Sequence, residues 1–150
     1  MKYFATLFDI NYLSRGIALY ESLKKHENLF ILYVLCLDNE TQQYFNDRHE
    51  QYKNIQTISL TDLENFDQDL LKAKDNRTKV EYYFTISPCL PFFLLKQFNL
   101  PHICTLDADI LFYDSTDSIF KYLESHSIII TPHNFSHSIK QLDKHGLYNV

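Results

Sequence analysis

Glycine is almost missing from this chain: only Gly16 and Gly146 occur in 150 residues, where ordinary usage would give about ten. The Walker phosphate loop, the GxGxxG dinucleotide loop and the GxSxG nucleophile elbow all need closely spaced glycines, so all three are excluded. Any phosphate held here is held some other way. Cysteine is scarce too. Cys36, Cys89 and Cys104 lie far apart in apolar stretches, which builds neither a disulfide framework nor a CxxC zinc site and reads as buried free thiols in a reducing compartment. Long hydrophobic runs are absent, and the opening stretch Met1–Phe8 meets Asp9 early. Neither a transmembrane segment nor a signal peptide is therefore expected. The N-x-S/T sequons at Asn39, Asn76 and Asn134 then read as chance, and the expected location is cytoplasmic. Positive charge is in deficit: 14 Lys+Arg against 19 Asp+Glu leave a net charge of −5. A role in coating nucleic acid or an anionic membrane is disfavoured on that ground.

What remains is rich in core-forming residues, 45% hydrophobic and 15% aromatic, in a length that suits one domain, residues 1–150, with no linker or repeat. Tyr3–Phe8 reads as a first strand. From Tyr12 the period becomes helical, with Leu13, Gly16, Ile17, Tyr20 and Leu23 on one face and Lys24-Lys25-His26 closing the last turn. Leu29–Leu37 is continuously apolar, as a strand covered on both faces is. Asp38 can cap a helix over 39–50, and Ile55–Leu60 reads as a third strand. Surface helices are expected within Thr61–Asp75. In Val80–Phe98, prolines at 88 and 91 split the segment into two helices meeting near Ser87-Pro88. His102–Leu106 reads as a fourth strand, Leu111–Tyr113 as a short one, Thr116–Glu124 as a helix with Ile119, Phe120 and Leu123 inward, and Ser127–Thr131 as another strand. The aromatics in Tyr82-Tyr83-Phe84 and Phe92-Phe93 are expected in the core, since no basic stripe accompanies them. Alternating strands and helices point to an α/β layered fold. The chain stops at Leu147-Tyr148-Asn149-Val150 without a polar tail, which suggests an element cut short, a fragment or a natural truncation.

The chemistry concentrates in Thr105-Leu106-Asp107-Ala108-Asp109-Ile110. Residues two apart on extended chain project to one side, so Asp107 and Asp109 can aim both carboxylates at one point beyond a strand's carboxyl end, where open α/β sheets bind ligands. Hard oxygen ligands of this kind suit Mg²⁺ or Mn²⁺ completed by water and phosphate oxygens. The bland alternative is a turn whose aspartates cap backbone amides. Weaker signals fall away. His26-Glu27 and His49-Glu50 fail as HExxH starts because Phe30 and Lys53 stand at the final positions. His133 and His137 read better as surface residues than as metal ligands.

Three stretches together carry a resemblance: Phe4-Ala5-Thr6-Leu7-Phe8-Asp9-Ile10-Asn11-Tyr12 with Gly16-x-Ala18-Leu19-Tyr20-x-Ser22-Leu23; Glu81-Tyr82-Tyr83-Phe84-Thr85-x-x-Pro88; and Thr105-Leu106-Asp107-Ala108-Asp109. In order and spacing they span essentially the whole chain, which resembles the amino-terminal, nucleotide-sugar-binding part of GT-A glycosyltransferases and is similar to glycosyltransferase family 8. The resemblance implies a Rossmann-like GT-A fold, with a mostly parallel sheet flanked by helices. It also implies transfer of a sugar from a nucleotide-diphosphate sugar, commonly a UDP-sugar, to an acceptor hydroxyl on a glycan, lipid-linked glycan or protein. It places Ala5, Thr6, Asp9 and Tyr12 at the nucleoside, Asp107 at ribose and metal, and Asp109 as main ligand of a Mn²⁺ or Mg²⁺ ion. Arg77, Glu81 and Asn149 fall on the donor side. The residues alone would let Asp9 cap the following helix, Tyr12 pack as core, and Arg77 and Glu81 form an exposed ion pair. Two departures stand out: Thr85 occupies a place where family members often carry Arg, and their third metal ligand, a histidine, has no counterpart, since His145 does not match that motif. Two other readings stay open, a non-catalytic nucleotide-binding remnant and a DxD phosphohydrolase; the latter's motif belongs near the first strand.

Overall fold

The structure is a computed structural model and describes residues 1–132, 135–136 and 148–149. The chain divides into two compact units, Met1–Asp114 and Ser115–Val150. The first unit is built on β1 (Lys2–Phe8), β2 (Phe30–Cys36), β3 (Ile55–Ser59) and β4 (Cys104–Thr105), all parallel, in the order β3-β2-β1-β4. Between them lie α1 (Leu13–His26), α2 (Asn39–Asn46), α3 (Leu60–Phe66), α4 (Asp69–Asp75), α5 (Lys79–Ile86) and α6 (Cys89–Gln97).

The two faces of the sheet follow the period of two. Phe4 and Phe8 of β1 point to the side of α1 and α2, where Phe4 meets Phe30, Phe8 meets Phe45, and Tyr20 meets Tyr52 edge to face at 5.4 Å. Ala5 shares the opposite core with Tyr33, Leu35 and Ile58 from the strands and Leu63, Leu70, Tyr82, Ile86, Leu90 and Leu94 from α3–α6. The continuous apolar run of β2 is explained by this double cover. The crossovers β1-α1-β2-α2-β3 run one way across the sheet and the return to β4 runs the other, which right-handed connections place on opposite faces.

Local caps match the chemistry expected of them. Asp38 accepts from the Thr41 N–H at 2.8 Å to start α2, and Thr78 and Glu81 close a capping box on α5. Where helices usually end on a left-handed glycine, α6 is followed by Asn99 at φ 50°, after which the Leu100 N–H returns to Leu95 O at 3.2 Å. Asparagine does here what scarce glycine does elsewhere.

Gly16 has a packing reason. A Cβ on it would lie 2.3 Å from the Phe8 ring, and that ring is buried against Phe45 at 6.2 Å, so it has nowhere to swing. Gly16→Ala is therefore expected to destabilise the first unit by about 1–3 kcal/mol through overpacking, despite alanine's better helix propensity. Urea denaturation reads this directly. An unchanged or raised midpoint would mean that α1 can stand further from β1.

Several expectations need correction. The fourth strand is only Cys104–Thr105, and α2 ends at Asn46 instead of near 50. Leu111–Tyr113 is not a strand: the Phe112 N–H bonds the Ser22 hydroxyl at 3.1 Å and its ring packs beside Phe4, so its polar group points away from any ladder. Phe84 is 75% exposed and Phe92 is exposed as well, while Tyr82 and Phe93 are core; consecutive positions on a helix cannot all face one layer. In the second unit, α7 (Asp117–Phe120) runs into a 3₁₀ turn, Lys121–Glu124, and Ile119 is exposed, not inward. The strand expected at Ser127–Thr131 is instead β5 (Thr131–Pro132), antiparallel to β6 (Tyr148–Asn149). His133, Asn134, His137 and His145 lie outside the described residues.

Candidate functional site

The strand order reverses between β1 and β4: from β1 the chain proceeds to β2 and β3 on one side, and later returns to β4 on the other. Loops leaving two such strands diverge, opening a crevice at their carboxyl ends where α/β folds bind ligands. Two of the sequence stretches singled out above line this crevice, the turn after β1 and the turn after β4.

After β1, Asp9 starts a 3₁₀ turn over Ile10–Tyr12. Its Oδ1 accepts the Asn11 N–H at 3.1 Å and its Oδ2 the Asn11 side-chain amide at 3.4 Å. The capping role and a place at the crevice thus coincide. Tyr12 is not core: it is exposed, with the Arg15 guanidinium 4.3 Å above its ring. Ala5 and Thr6 sit inside β1, buried, and the Ala5 carbonyl accepts the Leu106 N–H at 2.8 Å. The Thr6 hydroxyl has no partner among the described residues.

After β4, Asp107–Ile110 folds into a turn closed by the Ile110 N–H to Asp107 O at 3.3 Å. Ala108 between the aspartates is buried while Asp107 and Asp109 are both exposed, so the pair shares the outer side, through a turn rather than an extended segment. Among the described residues neither carboxylate has a hydrogen bond or ion pair, and no group of three or more His, Cys, Asp and Glu gathers as a metal site. Two unpaired hard oxygen donors beside a strand end fit a divalent ion that takes its remaining ligands from water and substrate. The turn is pinned before by Leu106 to Ala5 and after by Phe112 to Ser22, whose hydroxyl also donates to Leu19 O at 2.7 Å.

Sequence reasoning saw Asp38 only as a cap. Its Oδ2 also accepts the Ile10 N–H at 2.9 Å, tying the loop after β2 to the turn after β1. Burial alone would push its carboxyl up, but the N–H groups of Ile10 and Thr41 and the charge of Lys79 hold it below the ordinary carboxylate value. Arg77 donates to Thr85 Oγ1; it makes no ion pair with Glu81 among the described residues, although its charge helps to lower the Glu81 carboxyl. The Glu81 carboxylate accepts the Thr78 hydroxyl at 2.7 Å and the Thr78 N–H at 2.8 Å, and these bonds hold it below its usual value. Arg15, Ser22 and Lys79 were missed. Asn149 lies in β6, in the second unit, and its side chain is outside what is described. One strand away, a hollow of about 150 Å³ at the carboxyl ends of β2 and β3 is lined by Asp38, Ser59, Glu64 and Lys74; it is smaller than sites for whole cofactors usually are. Among the described residues no helix is long and apolar enough to cross a membrane.

No family model matches the chain. It is 28% identical over 150 residues to the uncharacterized protein YfnD of Bacillus subtilis (strain 168), covering 99% of this chain and 47% of that protein. It is 26% identical over 129 residues to the uncharacterized protein YfnF of the same organism, covering 85% and 41%. The chain thus spans a little under half the length of these curated relatives. Among solved structures, mouse xyloside xylosyltransferase 1 in its apo form superposes with a TM-score of 0.57 over 97% of this chain and 58% of that one, at 13% identity. That likeness is one of fold: the chain has a glycosyltransferase-like α/β fold.

Proposed function

We propose that this chain is the nucleotide-binding part of a metal-dependent glycosyltransferase of the family 8 kind, which moves a sugar from a nucleotide-diphosphate sugar, a UDP-sugar, to an acceptor hydroxyl. One observation carries the reading: the exposed, unpartnered carboxylates of Asp107 and Asp109 stand on a pinned turn at the switch-point crevice, in a fold like that of a xylosyltransferase. Asp109 and Asp107 would hold Mn²⁺ or Mg²⁺, which when bound supplies the charge that offsets a leaving diphosphate. The protein's own part is placement. The turn after β1 offers Tyr12 as a face for the base and Asp9 as an acceptor, while Asp107 reaches the ribose. Proximity and preorganised charge supply much of the acceleration in such transfers.

The test is calorimetry with UDP in the presence of Mn²⁺ and in excess chelator. UDP is expected to bind with Mn²⁺ and to lose affinity without it, because a net charge of −5 and two bare aspartates repel a diphosphate. Equal affinity in chelator would remove the metal from the proposal. Failure to bind any nucleoside diphosphate would remove the proposal itself.

A further inference from the structure

A crevice that receives a diphosphate needs positive charge of its own, and its aspartates give none. Of the cations on α1 and in the α5 region, Arg15 and Lys79 reach the turn after β1 and Arg77 does not. Arg15 lies over the Tyr12 ring, and Arg77 is bonded to Thr85. Lys79, the first residue of α5, faces three groups: its Nζ is 3.7 Å from Asp9 Oδ2, the Tyr83 ring lies 5.4 Å away, and its charge acts on Asp38. It therefore stands across the loops that leave β1 and β2.

The Lys79–Asp9 pair is loose. At 3.7 Å it is longer than a good N–H···O bond. The lysine side chain is 70% exposed and the aspartate only 16%, so the ammonium is on the solvent side of the carboxylate, and an exposed pair of this kind holds weakly. Asp9 does not depend on it, since Asn11 donates one bond to each of its oxygens and leaves acceptor capacity over. A phosphate oxygen offers an ammonium a shorter, charge-assisted bond than this one.

We infer that Lys79 is the protein's own anion ligand in the crevice, its ammonium leaving Asp9 to grip the nonbridging phosphate oxygens of a nucleoside diphosphate. The inference rests on the nucleotide-binding reading above and adds a residue and a division of labour to it: Asp107 and Asp109 meet the phosphates through a metal, Lys79 meets them directly, and the nucleoside lies on the turn after β1.

The experiment compares the parent chain with Lys79→Met and Lys79→Arg, titrating UDP and uridine in Mn²⁺, with thermal melting of each variant as a control for folding. The expected result is a loss of about tenfold in UDP affinity for Lys79→Met, the size of one charge-assisted hydrogen bond. Uridine affinity should be unchanged, and Lys79→Arg should stay close to the parent. UDP binding by Lys79→Met as tight as the parent's would overturn this inference and leave the nucleotide-binding reading standing. Equal weakening of UDP and uridine would overturn it as well, because the lysine would then be shaping the turn and not holding phosphate. A parent that binds no UDP would overturn both.

Discussion

Asp109→Asn is expected to lower Mn²⁺-dependent UDP affinity by roughly 100-fold, leaving only what the protein binds in chelator. Replacing one oxygen by an amide nitrogen removes a unit of charge and a hard ligand, and a site with two protein carboxylates has no reserve; even disturbing partners outside the ligand shell typically costs about 10–100-fold in metal affinity. Stability should hardly change, since the Asp109 side chain is exposed and bonded to nothing among the described residues. Asp9→Asn should act differently: on the proposed reading Asp9 meets the nucleoside, so its effect on UDP should be similar with and without metal. If Asp109→Asn binds Mn²⁺ and UDP as the parent does, the pair of aspartates is merely a surface turn.

The largest stability effect is expected at Glu64, in α3. This carboxylate is buried, and its Oε1 accepts the Tyr82 hydroxyl at 2.8 Å and the Lys74 ammonium at 2.7 Å, so it ties α3 to α4 and α5. Burial and the bond to Glu64 push the Tyr82 phenol up, and it stays a neutral donor across the physiological range. Glu64→Ala would leave a buried hydroxyl without an acceptor and open a gap beside the core; about 2–4 kcal/mol is expected, the upper part moderated because Lys74 is half exposed and can turn to water. Tyr82→Phe, which removes the donor and keeps the packing, should cost only about 1 kcal/mol. The pair Glu64→Ala with Tyr82→Phe should be less harmful than the sum of the two. Denaturation midpoints of the four proteins decide. Strict additivity would show that the two side chains do not act together.

Much of this fold was legible because it depends on local pattern. The unbroken apolar run at Leu29–Leu37, the helical period after Tyr12 and the prolines at 88 and 91 each leave a signature within a few residues. β4 is shorter than its apolar residues suggest, since only Cys104 and Thr105 stand in ladder register with β1 and Leu106 adds one further bond, to Ala5. Leu111–Tyr113 was misread for a similar reason: its acceptor is Ser22, 90 residues away, and nothing in the local sequence marks a hydroxyl as its destination. The same limit applies to the site. Asp107 and Asp109 announce themselves by spacing, but the second bond of Asp38 and the reach of Lys79 toward Asp9 exist only once α2 and α5 are packed on the sheet. Phe84 and Phe92 show the converse, apolar residues that hydropathy sends inward and helix geometry turns outward.

The two pins on the acidic turn have an entropic consequence. Fixing the backbone of a single residue costs roughly 1–2 kcal/mol at room temperature. A loop attached at one end would therefore lose several kcal/mol of freedom whenever residues 107–111 closed on a ligand. Here Leu106 is bonded to Ala5 on one side and Phe112 to Ser22 on the other, so the segment between them has already given up much of that freedom when the first unit folds. A ligand of the kind proposed for Asp107 and Asp109 would be met by a turn whose ordering is charged to folding, and the strength of its binding would depend on the atoms in contact more than on the search for a shape.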